Sequence, residues 1–425
     1  MKISKVSLAC LLALSTQATQ VMAETEDGFE FHGYFRAGVL VSADNDFKRA
    51  KFPASKERLG RLGIESDNHF ELALQKNFSM DNGQKIRIKT RAGADNSQSA
   101  MNQLGANADA ANSQIGLMET FVEFEGVLSD TGVLWAGKRF YGKDNYIFMT
   151  DFFYTDMSGT GVGIEGVELG GNKWDFAYIG SDNSQDTTNF WSDENNLMHA
   201  FHTSVNFGTF EVHGMAKHLP DNIVGGETYA SSGAEVTGIY HSESVFGLSD
   251  KGFTKYIAQA GKGLGSGQLL GGTLTTYNAY KPGNGALEGP SKMKKVQSGD
   301  TSARALVWGG YFFENGVNVF HSIQGQYNDM EDGATDYWTS AMVRPSFPVV
   351  ENFFIATEFG YQYNNWKDAS GSGDNATQYK ATIAPTIIVP TGMGPAPEIR
   401  FLATYLDGDK RDKDFIVGIQ ADMWW

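Results

Sequence analysis

Phe415 to Trp425, the last eleven residues, read F-I-V-G-I-Q-A-D-M-W-W, and the two parities differ sharply. Phe415, Val417, Ile419, Ala421, Met423 and Trp425 are apolar, whereas Ile416, Gly418, Gln420, Asp422 and Trp424 form a mostly small or polar set. Successive side chains of a strand point to opposite faces, so this period of two sets one face against something greasy and the other against something wet. The segment is long enough to cross a membrane as a tilted strand, and it ends on an aromatic that favours the membrane interface. A soluble β-protein can also end this way, but the last strand of a membrane barrel fits better.

The other terminus points the same way. Residues 1–23 read as an export signal: Lys2 and Lys5 supply the positive start, Val6 to Leu14 the apolar stretch, and Val21-Met22-Ala23 a small-residue cleavage site. The only cysteine, Cys10, lies inside that signal, so the mature chain has no thiol chemistry and no disulfide. The whole chain carries 34 Lys and Arg against 50 Asp and Glu, and losing Lys2 and Lys5 makes it more acidic still. Nucleic acid needs a basic footprint and is not an expected partner. No apolar run after the signal is long enough for a transmembrane helix. If the exported chain lies in a membrane, only a closed barrel leaves no backbone unpaired in lipid. The alternative at this point is a soluble periplasmic β-protein.

Alternation along the chain favours the barrel. At the start of the mature chain Phe29, Phe31, Gly33, Phe35, Ala37 and Val39 share one face, and Glu30, His32, Tyr34 and Arg36 the other. A strand over 61–74 would turn Leu62, Ile64, Phe70, Leu72 and Leu74 outward and Arg61, Glu65, Asp67, His69 and Glu71 inward. After the turn signal Asp81-Asn82-Gly83, Lys85, Arg87, Lys89 and Arg91 fall on one face. Glu119, Glu123 and Glu125 share one parity of a later strand, so a row of bases beside a row of acids can pair across strands inside a lumen. The same rows on an ordinary antiparallel sheet would be a solvated face. Over 353–363 the outward parity collects Phe353, Ile355, Phe359, Tyr361 and Tyr363, as an interfacial girdle does. Short turns such as Asp130-Thr131-Gly132 and Glu314-Asn315-Gly316 alternate with long polar stretches around 181–196, 218–234 and 281–302, the expected asymmetry of a transmembrane barrel. No repeat or boundary divides 24–425, which reads as one all-β unit, a transmembrane antiparallel β-barrel of about 16 to 18 strands.

Several segments resemble the maltoporin family of sugar-specific outer-membrane channels: F-H-G-Y at 31–34, W-A-G-K-R-F-Y at 135–141, D-F-F-Y-T-D-M-S-G-T-G-V-G at 151–163, G-K-G-L at 261–264, Q-Y-K at 378–380, I-R-F-L-A-T-Y at 399–405 and the terminal W-W. They stand in the family's order across nearly the whole mature chain. The resemblance implies an 18-stranded barrel in the outer membrane of a Gram-negative cell, a homotrimer, and a loop around 142–162, after the fifth or sixth strand, folded inward to narrow the pore. It also implies passive diffusion of maltose- or maltodextrin-like oligosaccharides along a strip of aromatic rings flanked by ionised groups. A pyranose has an apolar face for the rings and a hydroxylated rim for the charges.

Carried over position by position, Tyr34 and Trp424 match the strip, and Arg36, Arg61 and Glu71 match its polar flank. Asp151 matches an acidic position on the constricting loop, with Lys143 in place of an arginine. Elsewhere the chain departs from the family. Phe153 stands where the family has a constriction tyrosine, His69 replaces a tyrosine of the strip, Ile387 a late-strand tryptophan and Thr237 a phenylalanine. Residues 97–112 contain no aromatic where the family lends a tryptophan to a neighbouring subunit. A general diffusion porin and a surface receptor or adhesin therefore remain alternatives. No phosphate-binding loop, calcium-loop spacing or histidine clustering is present, so no cofactor, metal or enzyme activity is expected.

Overall fold

The computed structural model describes residues 27–50, 54–66, 68–96, 115–128, 130–182, 197–220, 223–224, 227–273, 296–389 and 396–425. The expected signal at 1–23 and the segment 97–112 lie outside them. So do most of the polar stretches at 181–196 and 281–302.

The barrel wall begins with Phe29–Ser42 (β1), Asn68–Ser79 (β2), Lys85–Asn96 (β3), Gly116–Glu125 (β4), Val133–Arg139 (β5) and Gly159–Leu169 (β6). It continues with Asn172–Asp182 (β7), Leu197–Asn206 (β8), Phe210–His218 (β9), Ser232–Ser242 (β10), Gly252–Gly263 (β11) and Thr301–Phe312 (β12). Asn318–Asp329 (β13), Thr335–Val350 (β14), Phe353–Lys367 (β15), Gly373–Ile388 (β16), Glu398–Gly408 (β17) and Arg411–Trp424 (β18) complete it. Each of these eighteen strands pairs antiparallel with the next, and β1 pairs with β18 in the register Tyr34↔Trp424, Arg36↔Asp422. Closure removes the free edges that an open sheet would present to lipid.

The wall is inverted relative to a soluble sheet. Leu74 is 59% exposed, and Phe31, Phe201, Ile323, Phe359 and Ile419 also face outward, while Arg36, Glu119, Glu123, Arg304 and Lys380 are buried on the inner face. Outer aromatics collect at both ends. Phe210 and Tyr240 lie with ring centroids 4.7 Å apart at the short-turn end, and Tyr379 and Tyr405 both donate to Asp407 at the long-loop end. Phe359 and Tyr361 point outward as their parity requires. The ladder also forms: Arg91 Nε donates to Glu119 at 2.6 Å, Lys89 lies 3.3 Å from Glu119, Lys85 lies 3.7 Å from Glu125, and Arg87 pairs with Glu123.

Among the described residues, three loop segments fold back into the barrel. Residues 140–158, between β5 and β6, bury Ile147, Met149, Phe152 and Tyr154 against inward residues of β10–β14, among them Ile257, Trp308, Phe320 and Trp338. This is the expected constricting loop, placed after the fifth strand; residues 159–162 belong to β6. The segment 54–66 corrects the expectation of a strand starting at Arg61. It carries a single helical turn, Lys56–Leu59, and its Leu59, Leu62 and Ile64 pack against inward Phe354, Ala384, Leu402, Leu406 and Ile416. Leu62 and Ile64 therefore plug the lumen and do not face lipid, with Ile64 fully buried. Gly60 and Gly63 make this possible with φ of 87° and 75°, a region that disfavours side chains. A Cβ at Gly60 would lie 2.3 Å from Glu358 Oε1, and one at Gly63 1.9 Å from Thr404 Oγ1. The third loop, 264–273, meets the first: Asp156 N donates to Gly271 O at 2.9 Å and Thr273 N to Asp156 O at 3.0 Å.

Candidate functional site

Where the loops 54–66 and 140–158 meet, charge is concentrated into an eyelet. Glu65, only 2% exposed, accepts from Arg61 Nε at 2.6 Å and Lys56 Nζ at 2.6 Å, and lies 3.2 Å from Arg36. Lys56 also donates to Asp151 at 3.0 Å, which ties the two loops together. Backbone contact strengthens the tie, since Arg61 N donates to Met149 O at 2.8 Å. Burial works against ionisation of Glu65, but Arg61, Lys56 and Arg36 outweigh it and hold the carboxyl well below the usual carboxylate range. Asp151 is shifted the same way: burial opposes its charge, and Lys56 and Arg61 favour it more strongly.

Beside the eyelet stands the aromatic row. Tyr34 and Trp424 are cross-strand partners on the inner face. Both guanidinium groups of the eyelet donate to the Tyr34 hydroxyl, Arg36 at 2.7 Å and Arg61 at 3.1 Å, which fixes that ring against the charges. Tyr34, Trp424, Arg61 and Glu65 line a common cavity with Arg400, Glu398 and Asp422 of the adjoining wall. Arg400 donates to Glu398 at 2.8 Å and Asp422 at 3.0 Å.

Of the residues expected from sequence, Tyr34, Trp424, Arg36, Arg61 and Asp151 come together here. The others lie apart. Phe153 does not line this cavity; it stacks on Tyr146, centroids 5.1 Å apart, and Tyr146 does line it. Lys143 sits over Phe140 and Phe153, 4.2 and 4.6 Å from the ring centroids, and 3.7 Å from Asp156, so it braces the loop. His69 lies 5.7 Å from the Tyr34 ring and is hydrogen-bonded to Glu71 at 3.0 Å, while Glu71 pairs with Arg91 of the ladder. Thr237 faces inward and accepts from Gln259 Nε2 at 2.9 Å. Ile387 is a correction: it is 39% exposed on the lipid face, and its neighbour Ile388 is the inward residue. A match displaced by one residue in a strand exchanges the two faces.

Sequence reasoning missed Lys56, the Arg400 cluster and a second group of inward aromatics, Phe148, Phe253, Trp308, Phe320 and Phe354, which line the same cavity. The parity of β15 that places Phe359 outward places Phe354 inward, so that signal was available. Lys56 had none beyond the two nearby glycines.

Comparison with known proteins agrees with this architecture. The profile of the family described as LamB porin matches residues 29–425. The maltoporin of Vibrio cholerae (serotype O1, El Tor Inaba N16961) is 25% identical over 98% of this chain and 99% of its own. That of Hahella chejuensis is 25% identical over 96% and 95%, respectively. Among solved structures, the outer membrane protein OpdK of Pseudomonas aeruginosa shares the fold at a TM-score of 0.51 and 9% identity, covering 94% of this chain and 98% of its own. A closed antiparallel barrel with a lipid-facing apolar surface, an ionised lumen and a family match over nearly the whole chain identifies a Gram-negative outer-membrane porin, and the chain belongs to the LamB porin family.

Proposed function

We propose that the channel passes neutral oligosaccharides of the maltose and maltodextrin type down their gradient, with Tyr34 and Trp424 as the stacking strip and Arg36, Arg61, Glu65 and Asp151 as its polar flank. The observation that carries this reading is the cross-strand Tyr34–Trp424 pair set against an ion network whose guanidinium groups hold the tyrosine hydroxyl. A sugar ring passing the eyelet can rest its apolar face on the rings while its hydroxyls exchange partners with the charges. Several weak contacts in series allow passage where one strong site would trap the sugar. His69, Glu71, Lys143 and Phe153 act in this reading by supporting that surface. The functional unit is proposed to be a homotrimer in outer-membrane lipid, and residues 1–23 a signal removed on export, which the mass of the membrane-extracted chain will show.

Planar-bilayer recording tests it. The expected result is small conductance inserted in three coupled steps and blocked by maltooligosaccharides at millimolar concentration or below. Trp424→Ala is expected to weaken that block about tenfold, as loss of one stacking contact of roughly 1.4 kcal/mol implies. Large open conductance indifferent to every sugar would instead identify a general diffusion porin.

A further inference from the structure

The cavity below the eyelet has a second wall, and its polar groups are not all engaged. Arg61 is paired with Glu65, Arg344 with Glu358, and Arg400 with Glu398 and Asp422. Lys255 of β11 and Asp144 of the constricting loop line the same space, yet neither side chain has an ion pair or hydrogen bond among the described residues. Both side chains face one cavity, and no ion pair joins them. Lys255 is the cross-strand partner of Trp308, and its ammonium lies 5.5 Å from the centre of that indole. The indole is held from two sides. Phe253 meets it edge-on at 5.2 Å, and its Nε1 reaches the Tyr154 hydroxyl at 3.5 Å.

We propose that Lys255, Trp308 and Asp144 form a second saccharide-contact site, facing Tyr34 and Trp424 across the cavity, that grips neutral sugars by a donor–acceptor clamp. The proposal rests on the reading of this protein as a saccharide channel. Each sugar hydroxyl can both donate and accept, so one member of a vicinal diol can accept from the Lys255 ammonium while its neighbour donates to the Asp144 carboxylate. Both bonds involve a charged partner and are stronger than bonds between neutral groups. Trp308 supplies rigid apolar surface beside them. A cation and an anion that are both uncommitted match a neutral, polyhydroxylated ligand. An anionic sugar would meet Lys255 but be repelled by Asp144. A chain long enough to span the cavity would touch both walls, so the two sites together select for length.

The experiment is sugar block of single-channel current for the wild type, Lys255→Met and Asp144→Asn, with maltose, maltotriose, maltohexaose and an oligomer of glucuronic acid. Each substitution is expected to weaken block by maltohexaose about tenfold to a hundredfold, the loss of one charged hydrogen bond, with a smaller effect on maltose. Unchanged block by all neutral sugars in both variants, with Trp424→Ala still impaired, would overturn the clamp while sparing the proposed function. So would loss of glucuronate block alone in Lys255→Met, which would mark an anion site. A wild-type channel blocked by no sugar would instead fail the underlying reading.

Discussion

Replacing Lys380 with methionine is expected to raise open-channel conductance severalfold and to abolish most sugar block, while leaving the barrel folded. Lys380 and Glu358 are both 0% exposed, and they anchor the loop 54–66 from the wall. Lys380 Nζ donates to Gly60 O at 2.6 Å, Leu62 O at 2.8 Å and Glu358 Oε1 at 2.6 Å. Glu358 also accepts from Leu62 N at 3.0 Å and from Arg344 Nε at 2.5 Å. Arg344 in turn donates to Met149 O at 3.1 Å, so one wall cluster fastens both loops that build the eyelet. Breaking a buried pair by removing one partner costs about 3–5 kcal/mol, because the remaining charge is stranded. A loop is less costly to release than a closed sheet is to open, so the loss appears as a loosened eyelet. Lys410→Met provides the contrast: its pair with Asp374 at 3.0 Å is more than 40% exposed on both sides, and such pairs contribute about 0–1 kcal/mol. Heat-dependent gel migration reports the barrel and bilayer conductance reports the loop. Unchanged conductance in Lys380→Met would refute the anchor.

What could be seen in the sequence follows from what a barrel asks of it. A wall strand between lipid and water carries its pattern locally, so the alternation of Phe29 to Val39 and of Phe415 to Trp425 was readable residue by residue, as was the pairing of Lys85 to Arg91 with Glu119 to Glu125. The plug was not, because Leu62 and Ile64 pack against an inner wall that is itself apolar at Phe354, Ala384 and Leu402. Apolar residues facing the lumen and apolar residues facing lipid look alike when only their period is read. Two glycines within four residues, Gly60 and Gly63, were the local sign against a strand. Lys380 was legible only as part of a short family motif. Its partners Gly60 and Leu62 lie more than 300 residues away, and no local pattern encodes such a contact. The eyelet was recovered in part for the same reason: Asp151 opens the D-F-F-Y motif and Arg36 follows F-H-G-Y on the inward parity of its strand, whereas Lys56, which joins Glu65 to Asp151, stands in neither.

Glu65→Gln is expected to shift the channel strongly toward anions. In the wild type Lys56, Arg61 and Arg36 gather around Glu65, with Asp151 as the second carboxylate. Without Glu65 those three cations face Asp151 alone inside a narrow, weakly screened passage, where charge sets permeation. Reversal potentials in a potassium chloride gradient measure the change. The pH dependence has a definite sign. Because the folded-state pKa of Glu65 is depressed, its stabilising charge is fully present above the unfolded carboxyl value of roughly 4.3 and is lost only as pH falls through the folded value. The difference in selectivity between wild type and Glu65→Gln should therefore stay constant from about pH 7 down to about pH 4, and close only in stronger acid. A difference that shrinks between about pH 7 and pH 5 would mean that Glu65 is protonated in the ordinary range, and that three neighbouring cations do not hold its charge.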